Sequence, residues 1–285
     1  MLHHPMIDRT KIQQQLRQCL TETNFEQLGK KYRGKVRDTY DLGDRLVLIT
    51  TDRQSAFDRI LAAIPFKGQV LNQVSAWWFD QTKDIVPNHV VTVPDPNVLV
   101  AKKCQVFPIE FVVRGYLTGV TSTSVWTAYS KGERNFCGNI LPDGMVKNQA
   151  FAQPIITPTT KSEIHDESIA SADIVKRGLM SQADWDRCAQ YTLALFKRGQ
   201  EIAQRHGLVL VDTKYEFGKL PDGTITVIDE VHTPDSSRYW LAGTTQNIDK
   251  EFLRLWFMEH CDPYKDKELP PAPDDLVIEL SARYI

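Results

Sequence analysis

The chain has 285 residues, about twice the length of a typical domain, which predicts one large domain or two closely packed ones. Its 34 Lys and Arg residues against 36 Asp and Glu residues give a net charge of −2. This balance argues against general nucleic-acid binding, because proteins of that class carry a clear basic excess. Apolar residues make up 42% of the chain, which argues against disorder.

The sequence predicts neither a membrane-spanning helix nor a secretory signal. No stretch approaches the roughly 18 consecutive apolar residues that a spanning helix needs, and residues 1–17 are polar where a signal peptide has an apolar core. The five cysteines are scattered and form no CxxC pair, so we expect reduced thiols and no zinc site. A cytoplasmic enzyme without membrane or nucleic-acid partners is therefore expected.

The first third of the chain is predicted to consist mainly of strands. Residues 30–40 and 45–51 flank a turn-like Asp-Leu-Gly-Asp segment and predict a hairpin. A short helix with buried aromatic residues is expected at 72–81. Two further strands, at 98–106 and 109–117, are predicted to be separated at Pro108, which cannot donate a ladder hydrogen bond.

Residues 118–171 are rich in Gly, Pro, Ser and Thr and are expected to form long loops. Loops of this length inside a compact domain usually serve function. We therefore expect part of this segment to close over bound substrate and exclude water.

The last third is predicted to combine helices with one hairpin. Ser181 and Asp184 match an N-terminal helix signal, and the helix is expected to end near His206, before Gly207. Strands at 208–217 and 224–231 flank a Pro-Asp-Gly turn, and a helix near 251–259 and a Pro-rich tail follow. Strands dominate the front and helices the back, which indicates an α+β fold with two lobes.

A basic segment near the N-terminus places five Lys and Arg residues within positions 30–37, interrupted by Gly34. If the segment is extended, Arg33, Lys35 and Arg37 point to one face, and Gly34 lets a ligand approach the backbone. A polyphosphate bound beneath this hairpin is one interpretation, and a solvated basic edge strand is the other. The sequence contains no P-loop and no Gly-rich dinucleotide motif.

Two charged residues, Glu110 and Arg114, lie in an otherwise apolar predicted strand. A charge in such a setting must be paired or face a ligand. The two side chains share a strand face but are roughly 13 Å apart along it, which disfavours the alternative of an internal ion pair. Asp52 lies in a charged segment, 51–58, that follows a strand and either lines a ligand site or forms a capped turn.

The predicted hairpin near the C-terminal third projects Asp212, Lys214 and Glu216 from one face, because strand side chains alternate. The return strand ends in Asp229 and Glu230. Carboxylates that converge near a lysine suit a hard cation such as Mg²⁺, which takes one or two carboxylates and completes its shell with phosphates and water. A solvent-facing ladder of salt bridges is the alternative, and the sequence leaves the hairpin register open.

Two polar loops carry further candidates. Residues 233–240 place Arg238 before two aromatic residues, and the loop around 154–167 contains His165, either a proton shuttle or a solvated side chain. No Gly-x-Ser-x-Gly elbow and no cysteine with an evident base is present, so covalent serine or cysteine catalysis is not expected.

Six of these segments occur in the order seen in the SAICAR synthetase family, which the chain resembles from about Tyr32 to Trp240. One motif alone would be weak evidence of membership, but several independent motifs in the right order make the resemblance specific. The motifs are Gly34-Lys35-Val36-Arg37-Asp38, Thr51-Asp52-Arg53 through Phe57-Asp58, Val112-Val113-Arg114-Gly115-Tyr116, Thr157-Pro158-Thr159-Thr160-Lys161, Asp212-Thr213-Lys214-Tyr215-Glu216-Phe217-Gly218, and Asp229-Glu230-Val231 through Thr233-Pro234-Asp235-Ser236-Ser237-Arg238-Tyr239-Trp240.

The resemblance implies a two-lobed fold similar to ATP-grasp enzymes and, more loosely, to protein kinases. It assigns residues 1–110 to a β-rich lobe that covers ATP and residues 111–285 to an α+β lobe that carries the metal and substrate sites. It also implies an ATP-dependent ligase of de novo purine biosynthesis, which joins 5-amino-1-(5-phospho-D-ribosyl)imidazole-4-carboxylate to L-aspartate through an acyl phosphate. The products are SAICAR, ADP and phosphate, and the oligomeric state stays open.

The same resemblance implies a role for each candidate side chain. ATP is implied to contact Gly34, Lys35, Arg37, Lys103 and Glu110, the last near adenine. Mg²⁺ is implied to bind Glu216 and Asp229. The substrates are implied to contact Asp52, Arg114, Ser124, Lys214, Ser237 and Arg238. Catalysis is implied for Arg114, Asp212 and Lys214. Asp212 would orient the cations, Asp212 or Asp52 could accept the proton of the attacking amine, and Ser122 could take the place of Ser124.

Two other classes of protein are compatible with the residues alone. A small-molecule kinase would use the same ATP site and release ADP without aspartate. A non-catalytic purine-nucleotide sensor could dispense with the metal carboxylates, yet Glu216 and Asp229 are both present.

Overall fold

The computed structural model of this protein describes residues 8–121, 123–161 and 167–285. Ser122 and His165, both named above, lie outside the described residues. Across the described ranges the chain combines α-helices with antiparallel sheets, which confirms the expected α+β class. No helix in these ranges is long and apolar enough to span a membrane.

The first half of the chain forms a five-stranded antiparallel sheet flanked by helices. Its elements are α1 (Arg9–Gln15), a 3₁₀ turn (Glu26–Leu28), β1 (Lys30–Arg33), β2 (Arg37–Asp41), β3 (Arg45–Thr50), β4 (Arg53–Ala56), β5 (Arg59–Ala63), α2 (Lys67–Gln81), β6 (Val90–Asp95) and β7 (Val98–Lys102). The strand order in the sheet is β1-β2-β3-β7-β6, and β4 and β5 form a separate hairpin. The predicted hairpin between the basic segment and the next strand is confirmed by the pairing of β2 with β3. The basic segment is not one extended strand, however, because β1 and β2 pair with each other around a turn at residues 34–36, so Arg33, Lys35 and Arg37 do not share one strand face.

The rest of the chain forms a second antiparallel sheet. Its elements are β8 (Gln105–Tyr116), α3 (Val125–Ser130), β9 (Asn135–Phe136), β10 (Asn139–Ile140), β11 (Ala150–Ile156), β12 (Thr159–Thr160), α4 (Ser171–Lys176), α5 (Gln182–Arg205), β13 (Leu208–Lys219), β14 (Ile225–Ile228), β15 (Ser237–Leu241), α6 (Glu251–His260) and α7 (Asp274–Tyr284). The main path of this sheet is β11-β8-β13-β14, with β12 paired to β8 and β15 paired to β13.

The central strands β8 and β13 separate the core from the functional face through the alternation of their side chains. In β8, Ile109, Phe111 and Val113 are fully buried, and the Phe111 ring stacks on Trp185 of α5 with 5.0 Å between centroids. The intervening residues, such as Glu110, project to the opposite face. The expected placement of charged residues on one face of these strands is therefore confirmed.

The long helix α5 covers the buried face of the second sheet and begins and ends where the sequence predicts. The Ser181 hydroxyl accepts a hydrogen bond from the Asp184 backbone N–H at 3.1 Å, which caps the first turn. Just after the helix, Gly207 has a φ of +72°, a left-handed conformation that glycine adopts without strain.

The C-terminal helices complete the core of the first half of the chain. Leu253, Phe257 and Leu280 of α6 and α7 pack with Ile64 and Leu71 in one buried cluster. The expected lobe boundary between residues 110 and 111 falls inside β8. The two regions are thus joined both by a continuous strand and by helices that return to the N-terminal side.

The expectation of long loops over residues 118–171 is wrong for much of the described part of that segment. It contains the helix α3 and four short strands, of which β11 and β12 pair with β8. Four apolar side chains of this region build a small core together with Leu117, which precedes it: Val125, Tyr129, Phe136 and Leu141. Gly and Pro mark the tight turns between short elements here, and composition alone does not separate such a segment from a loop.

The predicted strand break at Pro108 is also wrong, because β8 runs through it. Val106 pairs with Gly218 and Glu110 pairs with Glu216, so the three residues between Val106 and Glu110 lie opposite a single residue of β13. Pro108 therefore lies in a bulge, where its missing N–H leaves no gap in the ladder. The helix expected at 72–81 begins earlier, at Lys67.

A buried arginine holds the turn between β1 and β2. The Arg53 guanidinium donates to the Gly34 carbonyl oxygen at 2.9 Å and to Asp38 Oδ1 at 2.8 Å. Asp38 is fully buried and also accepts from the Thr23 backbone N–H at 2.7 Å. Although burial acts to raise the pKa of Asp38, these donors hold it below its ordinary value. Removing one partner of such a pair leaves an uncompensated buried charge.

We expect Arg53→Met to lower the free energy of unfolding by about 2–4 kcal/mol, because Asp38 loses its nearest cation and keeps only Lys31, whose Nζ is 3.5 Å from Asp38 Oδ2. Urea unfolding followed by circular dichroism measures this change. The matched control is Arg45→Met, since the Arg45 side chain is 54% exposed and should contribute about 0–1 kcal/mol. Equal losses for the two variants would contradict the anchoring role of Arg53.

Candidate active site

A cleft of about 780 Å³ lies between the β1–β2 hairpin and the charged face of the second sheet. Apolar side chains from the first sheet, Leu46 and Leu48, line it together with Val106 and Val112 of β8. The rest of the lining is strongly polar and includes both carboxylates and cations. A cleft with one apolar wall and charged ends suits a ligand that joins a flat ring to anionic groups.

The centre of the charged face is Lys214, whose ammonium group lies among three carboxylates. Lys214 Nζ is 2.8 Å from Glu110 Oε1, 2.7 Å from Glu216 Oε1 and 3.5 Å from Asp229 Oδ2. This arrangement follows from the strand register: Glu110 and Glu216 are direct cross-strand neighbours on β8 and β13. Two like charges at such positions repel, and the lysine between them compensates that repulsion.

The register that the sequence leaves open is set by the pairing of β13 with β14. Glu216 is opposite Ile228, so Asp229 follows directly at the end of the return strand. Asp229 has a φ of +66°, in the left-handed region. The hairpin thus brings Asp229 to the same ammonium group as Glu216.

Two further cations reach this cluster from other elements. Arg37, at the start of β2, is paired with Asp229, and its second terminal nitrogen is 3.1 Å from Glu230 Oε2. Lys161, which follows β12, is paired with Glu216. Arg37 therefore ties the β1–β2 hairpin to the second sheet across the cleft.

Burial and ion pairing act in opposite directions on the pKa values of this cluster. Burial acts to raise the pKa of Asp229, but Arg37 and Lys214 hold it well below its ordinary value. Burial likewise acts to raise the pKa of Glu110, and Lys214 holds it below its ordinary value. Burial acts to lower the pKa of Lys214, and the three carboxylates raise it well above the ordinary value instead. These carboxylates therefore favour the protonated ammonium form of Lys214.

At the other end of the cleft, guanidinium and carboxylate groups alternate. Asp212 Oδ2 is 3.5 Å from Arg114 Nη1 and 2.7 Å from Arg238 Nη1. Glu251 continues the chain, 3.4 Å from Arg238 Nη2 and 3.1 Å from Arg254 Nη1. The pairing of Asp212 with both Arg114 on β8 and Arg238 on β15 produces this order. The internal Glu110–Arg114 pair considered above does not form, because each residue has a cross-strand partner.

The oxygen donors at the Lys214 end fit a magnesium ion. Glu216 and Asp229 both reach toward one point, Lys214 Nζ, and Mg²⁺ is usually held by one or two carboxylates with phosphates and water. No cluster of three or more His, Cys, Asp or Glu residues arranged for a metal occurs among the described residues. Glu216 and Asp229 would supply two of the oxygen ligands of such an ion.

Most of the candidates from the sequence lie in one place. The residues that line the cleft are Gly34, Lys35, Arg37, Glu110, Asp212, Lys214, Glu216, Asp229, Ser237 and Arg238. Arg114 does not itself line the cleft, but its Nη1 is 3.5 Å from Oδ2 of Asp212, which does. Lys35 is paired with Asp58 at the mouth of the cleft.

Besides Arg114, three further candidates lie outside the cleft lining. Lys103 donates to Asp41 Oδ2 at 2.6 Å on the first sheet. Both oxygens of Asp52 accept backbone hydrogen bonds, from Leu20 at 2.7 Å and from Gly68 at 2.9 Å. Asp52 thus connects two segments of the chain, and its contact with substrate and its role as proton acceptor stay predictions.

The last of these candidates, Ser124, caps α3 by accepting from the Thr127 backbone N–H at 3.2 Å. It nevertheless lies near the basic end of the cleft. A Cβ built on Gly119 would be 2.5 Å from Ser124 Cβ and 3.7 Å from Arg238 Nη1, so the loop that carries Ser124 abuts Arg238.

Sequence reasoning missed several cleft residues: His89, Lys161, Glu230, Asp249, Lys250 and Arg254. Lys161 and Glu230 stand inside two of the quoted motifs and could have been named from them. Asp249, Lys250 and Arg254 precede or begin an amphipathic helix, where charged residues normally indicate a solvated face. His89 carries no sequence signal; its buried Nε2 has no hydrogen-bond partner within the described part of the chain.

Comparison with known protein families gives one consistent result. A family model described as SAICAR synthetase matches residues 30–271. The phosphoribosylaminoimidazole-succinocarboxamide synthase of Legionella pneumophila (strain Lens) is 62% identical over 277 residues, with 94% of this chain and 88% of that protein covered. The chloroplastic enzyme of the same name from Vigna aconitifolia is 61% identical over 273 residues, with 91% of this chain and 80% of that protein covered.

Solved structures agree with this result. SAICAR-synthase from Saccharomyces cerevisiae complexed with SAICAR matches with a TM-score of 0.81 and 32% identity, covering 93% of this chain and 95% of that one. A SAICAR synthetase in complex with ADP matches with a TM-score of 0.69 and 25% identity, covering 85% of this chain and 100% of that one.

Replacement of Lys214 tests the electrostatic role of the central ammonium group. We expect Lys214→Met to lower the free energy of unfolding by about 2–4 kcal/mol, less than for a fully buried partner because 30% of the side chain is exposed. The pH dependence of stability should also change. In the unsubstituted chain Lys214 holds the pKa of Glu110 below its ordinary value, so the contribution of this carboxylate is lost only below about pH 5. In the variant Arg37 and Lys161 still pair with Asp229 and Glu216, but Glu110 loses its nearest cation and burial raises its pKa, so the variant should recover stability as the pH falls from about 7 to about 5.

Urea unfolding at about pH 7 and about pH 5 measures both effects. The matched control is Lys219→Met on the same strand, because Lys219 pairs with a single carboxylate, Asp184, at 2.7 Å. The control should lose about 0–1 kcal/mol. Parallel pH profiles for Lys214→Met and the unsubstituted chain would contradict the role of Lys214.

Proposed function

This chain belongs to the SAICAR synthetase family, and we propose that its cleft condenses an imidazole ribotide carboxylate with L-aspartate by means of ATP. The relatives make the chain a ligase of purine biosynthesis and do not favour the kinase alternative. The observation that carries the detailed proposal is the cleft itself, where the Lys214 cluster and the Arg114–Asp212–Arg238 chain lie on neighbouring strands of one sheet.

The chemistry explains why both ends of the cleft are needed. A carboxylate is a poor acyl donor, so ATP first converts the ribotide carboxylate into an acyl phosphate, which is 5-amino-1-(5-phospho-D-ribosyl)imidazole-4-carbonyl phosphate. The amine of L-aspartate then attacks the acyl carbon and phosphate leaves. The protein's contribution is to hold the groups in line and to stabilise charge. Lys214, held protonated, supplies positive charge beside the transferred phosphoryl group.

We assign the nucleotide to the wall formed by the β1–β2 hairpin, with Gly34, Lys35 and Arg37 toward its phosphates. Leu46 and Leu48 offer an apolar surface for the base. In this assignment residues 1–110 cover ATP, and residues 111–285 carry the metal and substrate sites. Glu110 acts on the phosphate side rather than at adenine, because its carboxylate contacts Lys214. The relative with bound ADP supports nucleotide binding in this fold.

We assign Mg²⁺ to Glu216 and Asp229, whose carboxylates are oxygen ligands of the kind this ion prefers. The ion would neutralise charge on the ATP phosphates. In the absence of other partners Arg37, Lys161 and Lys214 balance these carboxylates. Binding of Mg-ATP therefore requires these ion pairs to rearrange.

We assign the anionic groups of the ribotide to Arg114 and Arg238, whose planar guanidinium groups match phosphate geometry. Asp212 orients both through its shared oxygen. Ser237 and the nearby Ser124 supply hydroxyl groups at this end. The yeast relative with bound SAICAR supports a ribotide site. We place this chemistry in the cytoplasm, with small-molecule substrates as the partners.

The proposal is tested by measuring ADP release with Mg-ATP, the ribotide carboxylate and L-aspartate, with each omitted in turn. We expect full dependence on all three, and a product whose mass equals the ribotide plus aspartate less one water. ADP released at an undiminished rate without aspartate, with a phosphorylated product, would instead support a kinase.

The metal assignment is tested with Glu216→Gln and Asp229→Asn. We expect each variant to raise the Mg²⁺ concentration needed for half-maximal rate by about tenfold or more, since removing a carboxylate ligand weakens the binding of the ion. Manganese binding followed by electron paramagnetic resonance gives a readout without turnover. The control is Asp222→Asn in the exposed turn of the same hairpin, which should leave both measurements unchanged. An unaltered Mg²⁺ dependence in both site variants would refute the assignment.

A further inference from the structure

The turn that follows β14, residues 229–233, has an unusual backbone conformation. Asp229 and His232 both have positive φ values, +66° and +52°, in the left-handed region. Residues other than glycine occupy this region at a cost in free energy, and they do so where the surrounding structure enforces it. The position of the Asp229 carboxylate therefore depends on the contacts that hold this turn.

Two neighbouring elements anchor the backbone of the turn. The Val231 backbone N–H donates to Ser75 Oγ of α2 at 3.1 Å. The Tyr239 hydroxyl of β15 donates to the His232 carbonyl oxygen at 2.9 Å. Both contacts are buried and act on main-chain atoms, so they fix the path of the turn against the core.

A third anchor is formed by two side chains, Tyr215 of β13 and His232. The Tyr215 hydroxyl is hydrogen-bonded to His232 Nε2, and both residues are fully buried. Burial lowers the pKa of His232 to about 3, so its imidazole is neutral at neutral pH. His232 Nδ1 has no hydrogen-bond partner among the described residues. Donation from the hydroxyl leaves one buried polar group unpaired, whereas the reverse direction leaves two, so the hydroxyl is the donor.

The core is shaped around the His232 imidazole. The ring lies edge to face with Trp78, with 4.4 Å between the centroids. It also abuts Gly199 of α5, where a Cβ atom would be only 2.5 Å from His232 Cε1 and 2.8 Å from Nε2. Glycine destabilises a helix interior relative to alanine. The absence of a side chain at position 199 thus leaves the space that the ring occupies.

The Tyr215–His232 pair lies behind the two carboxylates assigned to Mg²⁺. On β13, Tyr215 stands between Lys214 and Glu216 and points into the core while they face the cleft, because strand side chains alternate. In the turn, His232 follows Asp229 by three residues. The hydrogen bond of the pair thus joins the strand that carries Glu216 to the turn that carries Asp229, on the face of the sheet opposite the cleft.

We propose that Tyr215 and His232 are positioning residues for the metal site, because their hydrogen bond sets the separation of its two carboxylates from behind the sheet. This inference rests on the proposed function, since it concerns the metal assignment made there. Neither side chain lines the cleft, so both act through the carboxylates and not on the ion. The pair matters most when Mg-ATP binds, because the ion pairs that hold Asp229 in the free protein then rearrange.

Manganese binding to the full chain in the presence of ADP, followed by electron paramagnetic resonance, tests the proposal without turnover. We expect Tyr215→Phe to weaken Mn²⁺ binding by about tenfold, the usual loss when the outer contacts of a metal ligand are removed. The matched control is Tyr129→Phe, since Tyr129 is also buried and its hydroxyl donates to the Pro142 carbonyl oxygen at 2.8 Å. The control should lose stability in urea unfolding and bind Mn²⁺ as tightly as the unsubstituted chain.

Two substitutions of His232 give a second comparison at one backbone position. His232→Gln keeps an acceptor for the Tyr215 hydroxyl and should retain most of the Mn²⁺ affinity. His232→Leu removes the acceptor and should weaken Mn²⁺ binding as much as Tyr215→Phe does. Both variants carry a long unbranched-at-Cβ side chain in the same left-handed conformation, so the difference between them reports on the hydrogen bond.

Unchanged Mn²⁺ affinity in Tyr215→Phe, whatever its free energy of unfolding, would overturn the proposal, as would an equal loss of affinity in Tyr129→Phe. The metal-ligand variants Glu216→Gln and Asp229→Asn separate the two levels of the argument. If neither of them weakens Mn²⁺ binding, the metal assignment itself is wrong. If both weaken it and Tyr215→Phe does not, the metal assignment stands and the positioning role is wrong.

Discussion

The ammonium group of Lys214 is the interaction on which the functional face of this protein depends. Three carboxylates, from Glu110, Glu216 and Asp229, converge on it at 2.7–3.5 Å. Without a cation at that point, the pairing of β8 with β13 would place two buried carboxylates side by side. The lysine thus allows a strand register that concentrates negative charge, and these carboxylates are the oxygen ligands that we propose for a magnesium ion.

The same charge also holds the two sheets together across the cleft. Arg37 belongs to the hairpin of the first sheet, yet its partners Asp229 and Glu230 belong to the second. Arg53 and Asp38 fix the turn that carries Arg37, through a buried ion pair and a partly buried hydrogen bond to the Gly34 carbonyl oxygen. A ligand that takes up the carboxylates must therefore also release part of this connection, so ligand binding and the relative position of the hairpin are coupled by electrostatics.

The remaining face of the cleft has the opposite sign, and this asymmetry agrees with the chemistry proposed for it. A reaction between anionic substrates and a magnesium nucleotide needs negative charge at the metal and positive charge at the substrates. Strands of one sheet provide both, because Asp212 and Glu216 are four residues apart on β13 and face different partners. The helix α6 adds Lys250 and Arg254 at the basic end.

By itself the sequence determined the class of fold, the capped helix α5, the C-terminal hairpin and the faces on which Asp212, Lys214 and Glu216 lie. These features depend on local rules: capping at Ser181, left-handed backbone at Gly207 and the two-residue period of strands. The ordered motifs also identified the family, because several short segments in sequence are specific even where no single one is. The residues of these motifs account for most of the cleft lining.

Only the tertiary structure decided which of those residues meet. The register of β8 on β13 depends on the bulge at Pro108, and periodicity does not reveal where a bulge occurs. Asp52 and Lys103 carry groups of the kind that bind ligands, but in the folded chain these groups are hydrogen-bonded to neighbouring residues. Lys250 and Arg254 look like solvated helix residues until α6 is packed against the cleft. Long-range packing determines whether a charge is paired, buried or open to a ligand, and that information is not contained in any local pattern.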